Sequence, residues 1–131
     1  MEIIITQWAL DAYLDLSHKN VFSPEDFQSK LQPDVKLLKN YPKHPKFNNG
    51  KFWSRASFGG RVIESGFKMK WHQVGSGKVQ LRLPIALTEA AFLCEGYLKS
   101  NDKVDRRKLA KFKTHLHLIQ ECKYKACGVI Q

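Results

Sequence analysis

The chain has 131 residues, of which 43% are hydrophobic and 26% charged; this composition excludes a disordered or fibrous protein and predicts one domain over residues 1–131. Its 22 lysines and arginines against 12 aspartates and glutamates give a formal charge of +10, which favours a nucleic acid, an anionic membrane or an acidic protein as partner. No apolar run is long enough to cross a bilayer, and the N-terminus lacks a signal-peptide pattern. We therefore expect a cytoplasmic protein with no membrane partner.

The first part of the chain is predicted to form a strand and two helices. Residues 2–7 are rich in β-branched side chains, and residues 8–17 carry apolar side chains at helical spacing. Ser23 and Pro24 form a start signal for the second helix, with a capping hydroxyl before a proline at the first helical position. Pro33 lies inside the apolar pattern of this helix, so we expect a helix defect nearby.

A basic loop and a further strand follow. The loop contains prolines and an Asn-Asn-Gly sequence, and it carries Lys43 and Lys46. Residues 51–57 predict a strand that presents Arg55. Phosphate binding by Arg55 and ion pairing with an acid on a helix are both open at this point.

The most regular pattern is an antiparallel hairpin formed by residues 67–74 and 78–85. Apolar and polar side chains alternate along both arms, which predicts two half-buried strands. Closing the loop sets Trp71 opposite Leu81 and Lys70 opposite Arg82. One face is then apolar, and the other is cationic through Lys68, Lys70, His72, Lys78 and Arg82. An ordinary solvated face and a surface for a polyanion both fit this pattern.

The C-terminal part is predicted to form a buried strand and a basic helix. Residues 90–99 are a dense apolar run, typical of a strand covered on both sides, and we expect it at the centre of the sheet. Asp102 or Asp105 is the expected cap of the helix. A His-x-His and a Cys-x4-Cys sequence near the C-terminus contain zinc-ligand residue types, but histidines two apart on a helix point in nearly opposite directions.

These elements predict an α+β fold: two N-terminal helices packed on a mostly antiparallel twisted sheet, a basic opposite face, and a basic C-terminal helix. This order resembles the RelE/ParE superfamily of bacterial toxins, and its HigB-like branch in particular. Residues 50–55, Gly-Lys-Phe-Trp-Ser-Arg, resemble the family's strand after the helical hairpin. Residues 92–103, Phe-Leu-Cys-Glu-Gly-Tyr-Leu-Lys-Ser-Asn-Asp-Lys, resemble its apolar strand and lysine-rich turn, although the family's paired lysines and Thr-Pro are absent.

The resemblance implies a toxin that cuts mRNA without a metal or cofactor, on the ribosome or free, and that a cognate antitoxin protein neutralises. Such cleavage needs a base for the 2′-hydroxyl proton, a cation for the phosphate and an acid for the leaving oxygen. His72 is the candidate for proton transfer, and Arg82 and Lys70 are candidates for the phosphate. Tyr124 resembles an aromatic residue that some family members bring to the scissile site, but its place between two lysines of the tail favours a solvated tyrosine. The candidate RNA-binding side chains are Lys43, Lys46, Arg55, Lys68, Lys78, Lys99 and Lys103.

Two other functions remain open from the sequence. A non-catalytic nucleic-acid-binding or regulatory module would use the same cationic face for phosphate contacts only. A toxin that binds gyrase, as the ParE branch does, would not need His72.

Overall fold

The computed structural model describes residues 1–131 and contains a mixed sheet with helices on both faces. The strands are β1 (Ile3–Thr6), β2 (Trp53–Phe58), β3 (Arg61–Val74), β4 (Val79–Leu87), β5 (Ala91–Leu93), β6 (Tyr97–Leu98) and β7 (Ala126–Val129). The helices are α1 (Gln7–His18), α2 (Pro24–Asp26), α3 (Gln32–Lys36) and α4 (Asp102–Gln120), with 3-10 turns at Leu37–Asn40 and Pro45–Asn48. The sheet order is β2-β3-β4-β5-β1-β7, β6 pairs with β4, and β1 is parallel to β5 while the other pairs are antiparallel. The predicted α+β class and mostly antiparallel sheet are confirmed.

Thr6 joins β1 to α1 without an intervening loop. Its Oγ1 accepts a hydrogen bond from the Ala9 amide at 3.3 Å, which caps the helix, and donates to the Leu93 carbonyl of β5 at 2.6 Å. Thr6 is fully buried, so both bonds form away from water. The start of α1 is therefore fixed to the sheet.

The second helical segment contains the defect that Pro33 predicts. Ser23 caps α2 through a 3.0 Å bond from the Asp26 amide, as expected. A π-helical turn, Phe27–Leu31, separates α2 from α3, and the Gln32 amide donates to the Phe27 carbonyl five residues back. Since proline has no amide hydrogen and its ring crowds the preceding turn, the wider turn accommodates Pro33 without breaking the segment.

Each face of the sheet carries its own apolar core. The N-terminal helices cover one face, where Leu38, Met69 and Ile85 are fully buried. On the other face α4 packs through Leu109, Phe112, Leu116 and Ile119 against strand residues such as Ala56 and Phe92. The expectation that this second face is open and basic is wrong over most of its area, because α4 crosses it. The open part lies at the N-terminal end of α4.

The C-terminal region differs from the sequence prediction in three details. Asn101, not Asp102 or Asp105, caps α4 by accepting a 2.9 Å bond from the Val104 amide. Residues 90–99 form two short strands, β5 and β6, both paired with β4, instead of one continuous strand. The tail adds the edge strand β7 beside β1. No helix of this fold is long and apolar enough to cross a membrane.

Candidate nucleic-acid interface

The β3–β4 hairpin has the register that its alternation predicts. Met69 pairs with Leu83, Lys70 with Arg82 and Trp71 with Leu81. Beyond Trp71 the pairing shifts, because Gln73 adopts a positive φ of 60° and the ladder resumes at Val74 and Val79. Lys70 and Arg82 therefore lie side by side. They are on the face of the sheet that α4 covers, beyond the N-terminal end of α4.

Four basic side chains meet there and form what we call the cationic cluster: Lys68, Lys70, Arg82 and Lys99. Lys68 and Lys70 lie on β3, Arg82 faces Lys70 across the ladder, and Lys99 is held beside β4 by a 2.9 Å bond from its amide to the Gln80 carbonyl. The ion pairs of the protein involve other side chains, and none includes a member of the cluster. The cluster thus carries positive charge that no ion pair neutralises.

Arg82 is the most buried member, with 5% of its surface exposed. Its Nη2 donates to the Gln80 side-chain oxygen at 2.7 Å, and its Nη1 makes only a long 3.4 Å contact with its neighbour's carbonyl. A buried guanidinium normally has a carboxylate partner, because removing a charge from water is costly. Arg82 has no carboxylate within ion-pair distance, although the charge of Asp105 acts on it, so its remaining donors are suited to an external anion.

The cluster also shifts the ionisation of its own members. Burial lowers the pKa of Lys68 below its ordinary value; the Asp105 carboxylate opposes this, and Arg82 and Lys99 add to it. Burial and the neighbouring cations likewise lower the pKa of Lys70, and burial lowers the pKa of Arg82. Burial is the main cause of all three shifts, neighbouring cations add to those of Lys68 and Lys70, and a bound anion would oppose all three.

Asp105 is the carboxylate whose charge acts on the cluster. It lies in the first turn of α4 and accepts a hydrogen bond from the hydroxyl of Tyr97. Tyr97 is buried and pairs with Arg82 between β6 and β4. From the sequence, Asp105 is expected only as a helix cap and Tyr97 only as part of the segment that resembles the family, so neither is predicted as part of the site.

Comparison of the chain with family models, with curated proteins and with solved structures gave no match. The functional interpretation therefore depends on the geometry of the site and on the resemblance in the sequence.

His72 and Lys70 are both held by the segment that leads into β2. The His72 Nε2 lies 2.7 Å from the Lys51 carbonyl oxygen, and the Lys70 Nζ donates to the carbonyl of Gly50. Since a carbonyl only accepts, the Nε2 of His72 carries the hydrogen and the Nδ1 of the neutral ring is left as a proton acceptor. His72 is exposed, so this acceptor is open to solvent.

Two of the predicted RNA-binding side chains lie away from the cluster. Arg55 is exposed on the opposite face of the sheet, where its guanidinium lies 5.1 Å from the centre of the Phe67 ring. Neither an acid on a helix nor the cluster is its neighbour. Lys46 is ion-paired with Asp34 at 2.7 Å, and that carboxylate also accepts from the Trp71 indole at 2.9 Å. Lys46 thus links the loop to Asp34, which in turn contacts the hairpin through Trp71.

The remaining predicted residues are spread over the surface. Lys43 and Lys78 are exposed in the loops before β2 and β4, and Lys103 is exposed in the first turn of α4, near Lys99. Tyr124 packs edge to face on Phe92 at 5.2 Å. Phe92 pairs with Ala86, four residues along β4 from Arg82, which is about 13 Å in a strand. Tyr124 is therefore not in the cluster.

The zinc-ligand residue types do not come together. His115 is buried and stacks on Trp8 with ring centres 3.9 Å apart, whereas His117 is exposed and lies 3.1 Å from Glu121. No group of three His, Cys, Asp or Glu side chains has a geometry that could hold a metal ion. What the described site can do chemically is bind an anion and transfer protons beside it.

Proposed function

We propose that the protein is an endoribonuclease of toxin type that binds an RNA phosphate at the cationic cluster, and that its fold is of the RelE-like kind. The observation that carries this proposal is Arg82, a buried guanidinium that no carboxylate ion-pairs, directly opposite Lys70. A phosphate would offset the repulsion among the cations, and its oxygens would accept hydrogen bonds from the guanidinium N–H groups that have no partner. The sequence resemblance to the RelE/ParE superfamily supports RNA as the source of that phosphate, and a cognate antitoxin as protein partner.

Cleavage of the RNA requires two proton transfers, one from the attacking 2′-hydroxyl and one to the departing 5′-oxygen. The Nδ1 of His72 accepts the proton of the 2′-hydroxyl, the 2′-oxygen attacks phosphorus, and the bond from phosphorus to the 5′-oxygen breaks. Lys68 is suited to protonate the departing 5′-oxygen, because its lowered pKa makes it a better acid than an ordinary lysine. Arg82 and Lys70 stabilise the charge that builds on the phosphate. The products are a 2′,3′-cyclic phosphate and a 5′-hydroxyl.

One observation favours a second candidate, an RNA-binding module without cleavage. Tyr124, a predicted catalytic group, packs on Phe92 away from the cluster. The cluster would then bind phosphates without any proton transfer, and His72 would serve only to hold the segment before β2 through Lys51.

The proposal is tested by induced expression in bacteria with primer-extension mapping of cellular mRNA. The matched variants are Arg82→Gln in the cluster and Arg55→Gln on the opposite face of the sheet. Growth arrest with new mRNA 5′ ends in the wild type and in Arg55→Gln, but not in Arg82→Gln, is the expected result. Arrest without new 5′ ends would overturn cleavage, and normal growth with intact mRNA would leave the binding module as the function.

A further inference from the structure

The outer face of α4 carries a row of basic side chains that the cluster does not include. Between Asp105 and Glu121 the helix contains no acidic residue. Lys108 and Lys111 are both ion-paired with Glu95, at 2.7 and 3.2 Å. The cations left without an ion pair are exposed, and we call them the α4 stripe: Lys103, Arg106, Arg107 and Lys113.

The stripe runs along the exposed side of the helix. At 100° per residue its members fall within a sector of about 120°, on the side away from the buried residues Phe112 and Ile119, with Lys113 at the edge next to Leu109. Lys103 and Lys113 are ten residues apart, which is about 15 Å along the axis. Ala110 and Thr114 lie within the same sector, so no bulky side chain separates the cations from a surface laid along the helix.

Each end of the stripe continues into another basic feature. Lys103 comes four residues after Lys99 of the cationic cluster. It lies in the first turn of α4, which also contains Asp105. At the other end Lys113 lines a cleft of about 320 Å³ together with Arg61 of β3. Phe58 also lines the cleft, with the ammonium of Lys113 over its ring at 5.8 Å. Basic side chains therefore extend from the cluster to the cleft, with Asp102 and Asp105 beside Lys103 and Glu64 in the cleft as the acidic residues near this path.

We propose that the α4 stripe binds the phosphate backbone of double-helical RNA. A single strand is normally held by exposed aromatic rings on which its bases stack, but the aromatic ring of α4, Phe112, is buried. Double-helical RNA is recognised by phosphates and shape across a shallow groove, which a row of cations with small residues between them fits. This inference extends the proposed function, since it adds a structured RNA partner beside the cleavage site, but it does not require cleavage.

The test is fluorescence anisotropy of an RNA duplex of about 16 base pairs, a single strand of the same length and a DNA duplex, over a range of salt concentrations. The stripe variant is Arg106→Gln/Arg107→Gln/Lys113→Gln. The control is Lys19→Gln/Lys30→Gln/Lys36→Gln, which removes the same formal charge from exposed positions in the N-terminal helical region, where Lys19 and Lys30 pair with Asp15 and Asp26. We expect the stripe variant to bind duplex RNA at least about tenfold more weakly than the control. The slope of log K against log salt concentration should also become shallower by about 2, since each lost phosphate contact reduces that slope by about 0.7–0.9.

The outcomes separate this inference from the proposed function. Equal duplex binding by the two triple variants would overturn it, as would equal losses on single and double strands, or a preference for the DNA duplex. If the stripe variant loses binding of poly-glutamate but not of duplex RNA, the stripe is a site for an acidic protein and the inference is wrong. Single-strand cleavage that depends on Arg82 but not on the stripe would support the proposed function alone, and stripe-dependent duplex binding without any cleavage would support this inference alone.

Discussion

Lys70 and Arg82 lie directly opposite each other in the β3–β4 ladder, and neither has a carboxylate within ion-pair distance. Like charges in facing positions of antiparallel strands destabilise the pair by roughly 0.2–1 kcal/mol. A facing pair of opposite charges would stabilise the ladder instead. Residues retained at a cost to stability are typical of a binding or catalytic site.

The first prediction is that Arg82→Gln weakens anion binding without weakening the fold. Removing the guanidinium relieves its repulsion with Lys70 but loses the bond to Gln80, worth about 1 kcal/mol, so we expect the unfolding free energy to change by less than about 1 kcal/mol. Inorganic phosphate should raise the urea midpoint of the wild type and not that of the variant, because only a ligand bound to the folded state stabilises it. A loss of several kcal/mol in Arg82→Gln without phosphate would show instead that Arg82 is structural.

The second prediction concerns Asp105, which raises the pKa of Lys68 against the effects of burial and of Arg82. Asp105→Asn should lower the pKa of Lys68 further, and NMR titration of its ammonium group measures this directly. If Lys68 is the acid, the alkaline limb of the pH–rate profile should move to lower pH in the same variant. Tyr97→Phe is the control, because it removes the hydrogen bond to Asp105 but keeps the carboxylate charge. Equal titration of Lys68 in the wild type and in Asp105→Asn would exclude this coupling.

The hairpin could be predicted from the sequence because two constraints agree there. Alternation on both arms fixes which side chains are buried, and a slip of one residue would place lysines in the core. The pairs formed by Lys70 with Arg82 and by Trp71 with Leu81 follow from that pattern alone. The buried face of α4 follows from its sequence in the same way, because Leu109, Phe112, Leu116 and Ile119 recur at helical spacing.

The placement of α4 and of the tail could not be predicted in this way. Periodicity shows which side of a helix is buried but not which surface buries it, so the covering of the second sheet face by α4 was missed. β7 is exposed along its whole length and has no alternating pattern, and it is a strand only because the edge of β1 is free to pair. The place of Asp105 beside the cationic cluster could not be predicted either. Its hydrogen bond with Tyr97 depends on how the start of α4 packs against β6, which periodicity does not show.

The third prediction uses Gly66, where β3 passes under α4. A Cβ added there would lie 2.9 Å from a ring carbon of Phe112 and 3.0 Å from Ile63, closer than packed side chains allow. Both neighbours are buried, so Gly66→Ala should destabilise the protein by about 1–3 kcal/mol, the usual cost of overpacking a core. Gly77→Ala is the control, because its Cβ would make only an ordinary 3.6 Å contact with Val79. Equal unfolding free energies for the two variants, measured by urea denaturation, would contradict this packing of α4.

The last prediction is a loss of stability in mild acid caused by His115. This side chain is buried against Trp8, and no hydrogen-bond partner satisfies its Nδ1. Burial lowers the pKa of His115; the charge of Glu95 opposes the shift and that of Lys111 adds to it. An unfolded histidine has a pKa of about 6.5, so above that pH neither state takes up the proton and the contribution of His115 is constant. As the pH falls from about 6.5 through the lower pKa of the folded state, the unfolded chain binds the proton first and stability declines.

The decline is limited to about 1.4 kcal/mol per pH unit, the value for a single proton. His115→Phe keeps an aromatic ring beside Trp8 and removes the titration, so its unfolding free energy should vary less with pH between 6.5 and 5 than that of the wild type. His117→Gln, which removes an exposed imidazole from the same helix, is the control. Glu95 acts in a different range: burial alone would raise its pKa, but bonds from Lys108 and Lys111 hold that pKa below its ordinary value, so its contribution is lost only in stronger acid. If His115→Phe and the wild type lose stability in parallel between pH 6.5 and 5, His115 does not titrate on unfolding and its burial against Trp8 has no effect on acid stability.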